Sequence, residues 1–189
     1  MCVILIKRPG VSMPTWNVLE RCFHANPDGA GLAYATNGAV TFHKGLMDLD
    51  AVSDCLDELP DLTDKTLIIH FRWATHGGYS DAMTHPFTCA TKKPLLALDG
   101  ETSIAVFHNG IISDVPVKAN LSDTAVYCQT RLYDIYKSDN NFYRDDFYLD
   151  KIARTTRSRF AFLTGSAYSF TGGFYECDNI LFSNLRWQY

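Results

Sequence analysis

Side chains able to do chemistry gather where apolar runs end. Cys2 stands directly behind Met1 and ahead of the run Val3–Ile6. Polar, reactive residues then recur at Arg72 to His76, Thr84 to Phe87, His108 to Gly110 and Ser122 to Thr124. Loops at strand ends carry such groups because a rigid scaffold can aim them. Read alone, Met1-Cys2 has two meanings. The thiol is one more apolar strand residue, or it is the first residue of the working protein. In the second case removal of Met1, which is general when a small residue follows, leaves a thiol and a free α-amine on one residue. A thiolate is a strong nucleophile. An α-amine with a pKa near ~7.7–8.0 is a base at neutral pH and needs no histidine beside it.

Four of the six histidines, His70, His76, His85 and His108, fall in this middle region, so a metal site has to be weighed. The nearby acids form no familiar ligand motif, and neither a metal nor a cofactor is expected. The six cysteines are scattered without a CxxC pair, which argues against a zinc knuckle or a redox motif. Cys22, Cys55, Cys128 and Cys177 read as small buried hydrophobes. The apolar run after Met1 is too short for an export signal, and Lys7 and Arg8 lie on its wrong side. With no span long enough for a membrane, the chain reads as cytoplasmic with reduced thiols. A net charge of −4 makes nucleic acid an improbable main partner. Lys151, Arg154, Arg157 and Arg159 are expected on one solvated helix face, with a phosphate or partner patch as the lesser reading.

The elements that must position these groups follow from periodicity. "CVILI" is a continuous apolar run, as in a strand buried on both faces. Trp16, Leu19, Cys22 and Phe23 have helical spacing, and "NPDG" ends that helix. Two strand-like runs flank Asn37-Gly38, a strong hairpin signal. Leu49, Val52, Leu56 and Leu59 line one face of a second helix that stops at Pro60. "KTLIIHFRWA" and "TSIAVFHNG" are further apolar strands leading into polar turns. Ser122 is the N-cap of a helix carrying Val126, Cys128, Leu132 and Ile135, and part of 146–158 forms another. Strand runs with glycine turns close the chain. Strands joined by hairpins and flanked by helices mean mainly antiparallel sheets covered by helices, in one domain over 1–189.

Taken in order, the motifs resemble the class II glutamine amidotransferases, which are N-terminal-nucleophile hydrolases. The matching stretches are Met1-Cys2, "NPDGAG" at 26–31, "RWATHG" at 72–77, "THPF" at 84–87, "HNGII" at 108–112 and "SDT" at 122–124, with "FSN" at 182–184 as a looser match. The resemblance implies an α+β fold, a four-layer αββα sandwich of two mainly antiparallel sheets. It implies that Cys2 attacks the side-chain amide of L-glutamine while its own α-amine moves the proton. Asn109 and Gly110 become the oxyanion hole, Arg72 the partner of the substrate carboxylate, and Asp123 that of its ammonium. Trp73, Thr75 and His76 line the pocket. Asp28, Gly29 and His85-Pro86 are expected to be architectural.

Plainer readings stand beside these. Arg72 could be a surface ion-pair partner, Asn109-Gly110 an ordinary turn, and Asp123 a helix-start residue. The chain also departs from the family pattern. Val3 stands where many members have glycine, Ala125 where they have an acid after "SDT", and Asn26-Pro27 where many carry a basic residue. These departures bear on how the pocket closes more than on the bond-breaking step. No synthase domain is expected on the chain, so either a separate ammonia-acceptor protein or a free-standing amidohydrolase is implied. The alternatives are hydrolysis of another small γ-glutamyl amide, or a catalytically silent binding subunit.

Overall fold

The structure is a computed structural model that describes residues 1–74, 78–116 and 118–188. Numbered in chain order, its strands make two sheets. The larger runs β5 (Asp99–Thr102), β3 (Val40–Leu46), β2 (Ala30–Ala35), β4 (Leu67–Phe71), β1 (Val3–Lys7), β10 (Ile180–Phe182), β9 (Tyr175–Cys177). The smaller runs β6 (Ile104–Asn109), β7 (Arg159–Thr164), β8 (Tyr168–Thr171). Each neighbouring pair is antiparallel.

Side-chain alternation shows how the layers stack, because successive residues of a strand point to opposite faces. Ile4, Ile6, Ala33, Phe42 and Ile68 of the large sheet share one apolar cluster with Ala105, Phe107, Ala161 and Leu163 of the small sheet. The sheets therefore pack face to face. The other face of the large sheet, with Val3, Leu5, Leu67 and Ile69, packs on Leu19, Cys22 and Phe23 of α1 (Trp16–Ala25) and Val52 of α2 (Leu49–Asp57). The outer face of the small sheet, with Ile104, Val106, Phe160 and Phe162, packs on α3 (Asp123–Tyr127) and α5 (Asp146–Thr156) through Ala125, Tyr127 and Ile152. A π-helical turn (Cys128–Leu132) joins α3 to α4 (Tyr133–Ser138). This is the expected α+β, four-layer αββα arrangement of two antiparallel sheets. It also explains why β1 reads as unbroken apolar sequence: both of its faces are interior.

Local chemistry sets the boundaries. The Asp48 carboxylate accepts from the Ala51 N–H at 2.8 Å at the start of α2, and the Ser122 hydroxyl accepts from the Ala125 N–H at 3.1 Å at the start of α3. The Asn37-Gly38 hairpin forms between β2 and β3, with Gly38 at φ 86° and the Thr36 N–H on the Ala39 carbonyl. At the far end of β1 the buried Lys7 ammonium donates to the carbonyls of Leu62, Thr63 and Lys65, fixing the strand opposite its reactive end.

Several expectations need correcting. Trp16 is 42% exposed, so the apolar stripe of α1 runs from Val18 and Leu19 onward. Helix α2 ends at Asp57, before Pro60, and β5 has no apolar signature because it is an exposed edge strand. Cys22 and Cys128 are buried, whereas Cys55 and Cys177 are only half-buried. The basic residues do not share a helix face. Lys151 and Arg154 lie on α5, Arg157 is its left-handed cap, and Arg159 belongs to β7, where its Nε donates to the Gly173 carbonyl. No helix among the described residues is long and apolar enough to cross a membrane.

Candidate active site

The register of β1 against β4 pairs Val3 with Phe71, so the next step along each strand sets Cys2 beside Arg72 and Trp73. The Trp73 N–H points at the Cys2 sulfur at 3.2 Å, and the thiol lies 3.5 Å from the Trp73 carbonyl oxygen. The Asn184 side-chain amide donates to the Cys2 carbonyl at 2.7 Å. Burial pushes the thiol pKa up; the Trp73 N–H, the terminal ammonium and Arg72 pull it back toward the thiolate. It is the backbone of Trp73 that meets the sulfur; the residue itself is 48% exposed.

Arg72 is only 3% exposed, which removes the surface ion-pair reading. Its Nη2 donates to the Gly78 carbonyl at 2.9 Å. Burial lowers its pKa, opposed by the negative charge of Cys2, Asp28 and Asp123. Asp28 and Gly29 are architectural, as expected. The Asp28 carboxylate accepts from the Ala74 N–H at 2.7 Å, and the Gly29 carbonyl accepts from the Arg72 N–H at 2.8 Å. Gly29 has φ +99°, and a Cβ there would sit 2.8 Å from Met47 Sδ. Only glycine suits that corner. Thr75 and His76 lie outside the described residues.

The second half of the site comes from the small sheet. Asn109 ends β6 on the face turned toward the large sheet and is 1% exposed. Its Nδ2 donates to the buried Ser183 hydroxyl at 2.8 Å. Gly110 follows, where an added Cβ would lie 2.1 Å from Ser158 Oγ. The Asp123 carboxylate accepts from the Ile112 N–H and from its own Thr124 N–H, at 2.7 and 2.8 Å. Asp123 thus does serve the helix start, and it also ties down the turn that carries Gly110.

Cys2, Arg72, Trp73, His108, Gly110 and Asp123 line one small pocket of about 20 Å³. That is room for about one water. Beyond it lies a larger cavity of about 460 Å³ walled by Ile111, Val115, Pro116, Leu121 and Val126, with Asp123 on the wall of both spaces.

Three buried histidines adjoin the thiol pocket, His85 and His108 on its wall. The rings of His70 and His85 lie tilted against each other with centroids 3.9 Å apart, His70 Nε2 is 3.1 Å from the His108 carbonyl oxygen, and His108 Nδ1 is 2.8 Å from Thr124 Oγ1. Burial holds His70 at about 3 and His108 at about 4, and keeps His85 well below the ordinary imidazole value. They are neutral at physiological pH, and the lowered pKa values make them weak proton acceptors. Among the described residues no group of His, Cys, Asp and Glu is placed to hold a metal ion.

The "FSN" match gave no role to Ser183 or Asn184, although Ser183 bonds Ile4 and Asn109 and Asn184 bonds Cys2. The available signal was their place just past β10, next to β1. Ser183 continues the inward-facing series set by Leu181.

No family model matches the chain. Curated relatives do. Over 106 residues the chain is 36% identical to the glutamine–fructose-6-phosphate aminotransferase (isomerizing) of Streptomyces coelicolor, covering 56% of this chain and 16% of that protein. The protein of the same name from Corynebacterium diphtheriae is 38% identical over 96 residues, 51% of this chain and 14% of that one. A third, from Mycobacterium bovis, is 30% identical over 129 residues, 66% of this chain and 19% of that one. The chain therefore spans less than a fifth of the length of these relatives.

Proposed function

We propose that the chain hydrolyses the side-chain amide of L-glutamine, as a class II glutamine amidotransferase domain whose mature first residue is Cys2. The observation that carries this reading is one pocket lined by a strand-end thiol, a buried arginine, Gly110 and the Asp123 carboxylate. The aminotransferase names of the relatives support it, since each begins with glutamine.

In this mechanism Met1 is removed, and the α-amine of Cys2 takes the thiol proton. The sulfur attacks the amide carbon of glutamine, and the carbonyl electrons move onto oxygen. The Asn109 side-chain amide and the Gly110 N–H receive that oxyanion; such a donor is worth about 3–4 kcal/mol in the transition state. The C–N bond then breaks, and the α-ammonium returns its proton to the departing ammonia. Water, deprotonated by the same amine, cleaves the thioester to glutamate. Arg72 binds the substrate carboxylate through its planar fork, and Asp123 binds the ammonium at the boundary of the two cavities. Trp73 lines the pocket beside them.

The test pairs intact-mass measurement with an ammonia assay on L-glutamine. Expected are a mass lacking the initiator methionine and stoichiometric ammonia and glutamate. A processed protein inert toward glutamine sinks the reading. The 460 Å³ cavity favours one second reading, hydrolysis of a γ-glutamyl amide with an apolar substituent. It gains if such amides are cleaved in preference to glutamine.

Gly110 offers a separate check. In Gly110→Ala the new methyl meets Ser158 and pushes the Gly110 N–H off its mark. A loss of about 100-fold in kcat is expected. Gly110→Ala combined with Ser158→Gly, which clears the obstruction, recovers much of it; an unchanged kcat in the single variant refutes the assignment.

A further inference from the structure

Ser183 sits where the two sheets meet. It is fully buried, and its hydroxyl oxygen receives both the Ile4 N–H, at 2.9 Å, and Asn109 Nδ2, at 2.8 Å. Its own N–H donates to the Ile4 carbonyl at 2.9 Å. One side chain therefore ties the strand that ends in Cys2 to the strand that ends in Asn109, across 74 and 179 residues of sequence. Side-chain parity requires this meeting, because Ile4 and Leu181 share the inter-sheet face with Ala105 and Phe107 of β6.

The bonding is incomplete in an informative way. With Nδ2 turned to Ser183, Asn109 Oδ1 is buried without a hydrogen-bond partner. A carboxamide turned over about its axis keeps its outline and exchanges donor for acceptor. In the turned state the Ser183 O–H donates to Oδ1 and still accepts from the Ile4 N–H. The Asn109 NH₂ is then released to the opposite side, where it needs an acceptor. An oxyanion forming on the Cys2 adduct is such an acceptor. A hydroxyl suits this position because it can donate or accept; alanine can do neither.

Building on the glutaminase reading above, we propose that Ser183 is a positioning residue that orients the Asn109 amide toward the oxyanion. Its effect on catalysis passes through Asn109, and the proposal differs in this from a purely structural clasp on β1.

The experiment is a double-mutant cycle of Ser183→Ala and Asn109→Ala. It is read by glutamine hydrolysis, by acylation of Cys2 with p-nitrophenyl acetate, and by alkylation of Cys2 with iodoacetamide. Acylation builds an oxyanion; alkylation does not. Ser183→Ala is expected to lower kcat and the acylation rate about 10- to 30-fold, the scale of one lost buried hydrogen bond. KM and the alkylation rate should stay within about twofold of wild type, since neither depends on an oxyanion. In the Asn109→Ala background the serine change should cost almost nothing more.

Effects that multiply in the double variant overturn the proposal, as does an equal fall in alkylation, which would place Ser183 on the thiol strand alone. If Ser183→Ala does not fold, Ser183→Cys keeps the volume with a weak donor and acceptor and enters the same cycle. A wild type that is acylated by the ester yet inert toward glutamine ends the glutamine reading while leaving the oxyanion test intact.

Discussion

Cys2→Ala is expected to fold normally and to lose glutamine hydrolysis by about 10⁴-fold or more, the usual consequence of deleting a nucleophile that works as part of a unit. Folding survives because the hydrogen bonds of the sulfur among the described residues are to the backbone of Trp73, while the strand itself is held by β4, β10 and the Lys7 anchor. The thiol is only half of the claim. A lysine inserted between Met1 and Cys2 is too large to permit methionine removal and leaves Cys2 with an amide nitrogen in place of an amine. Hydrolysis should then fall by about 10²–10⁴, the range for losing a general base. Iodoacetamide should still alkylate the cysteine. Equal hydrolysis by the inserted and native proteins would falsify the α-amine as base, and no buried histidine is available to replace it. Ammonia release by Cys2→Ala at the wild-type rate would remove the thioester altogether.

The parts legible in sequence were those in which one residue type answers one local demand. Unbroken apolar runs marked β1, β4 and β6, because strands between two packed layers have no wet face. Asn37-Gly38 marked its hairpin, and Ser122 its cap. Polar groups at the ends of those strands marked the candidate site, since the register places them side by side. The layer order needed the family resemblance, as nothing in a strand's own pattern says which sheet it joins. Ser183 and Asn184 were legible only as part of the loose "FSN" match, and their contacts were not, for a related reason. Their roles come from partners far away in sequence, Ile4 with Asn109 and Cys2, and a serine after a short strand carries no sign of that. Asp123 shows the same limit. Its helix-start function could be read locally, whereas its hold on the Ile112 N–H appears only when β6 and α3 are assembled.

Acid should unfold this protein unusually early. His70 and His108 have folded pKa values of about 3 and about 4, and His85 is also held far down, all chiefly by burial. In the unfolded chain each returns to about 6.5. Between those limits the unfolded state binds the protons and the folded state does not. Stability is therefore complete above about pH 6.5 and is lost as the pH falls toward the folded values. Each histidine contributes about 1.4 kcal/mol per pH unit, or about 4 for the three. The charges around them do not relieve the effect. His70 faces the Arg72 and His108 side chains, and His85 faces His70, His108, Arg72 and Lys44, all of which disfavour a further proton; the His108 carbonyl against His70 and Asp123 beside His108 act the other way without outweighing burial. A domain of ordinary stability, about 5–15 kcal/mol, is exhausted within a few such units. Urea unfolding measured from pH 7 to 4.5 should show a flat region followed by this steep fall. His85→Phe keeps a ring against Phe87 and His70, and should make the slope shallower by about a third. A wild-type curve flat down to pH 4.5, or a slope unchanged in His85→Phe, would mean that the histidines adjoining the thiol pocket take up protons without unfolding.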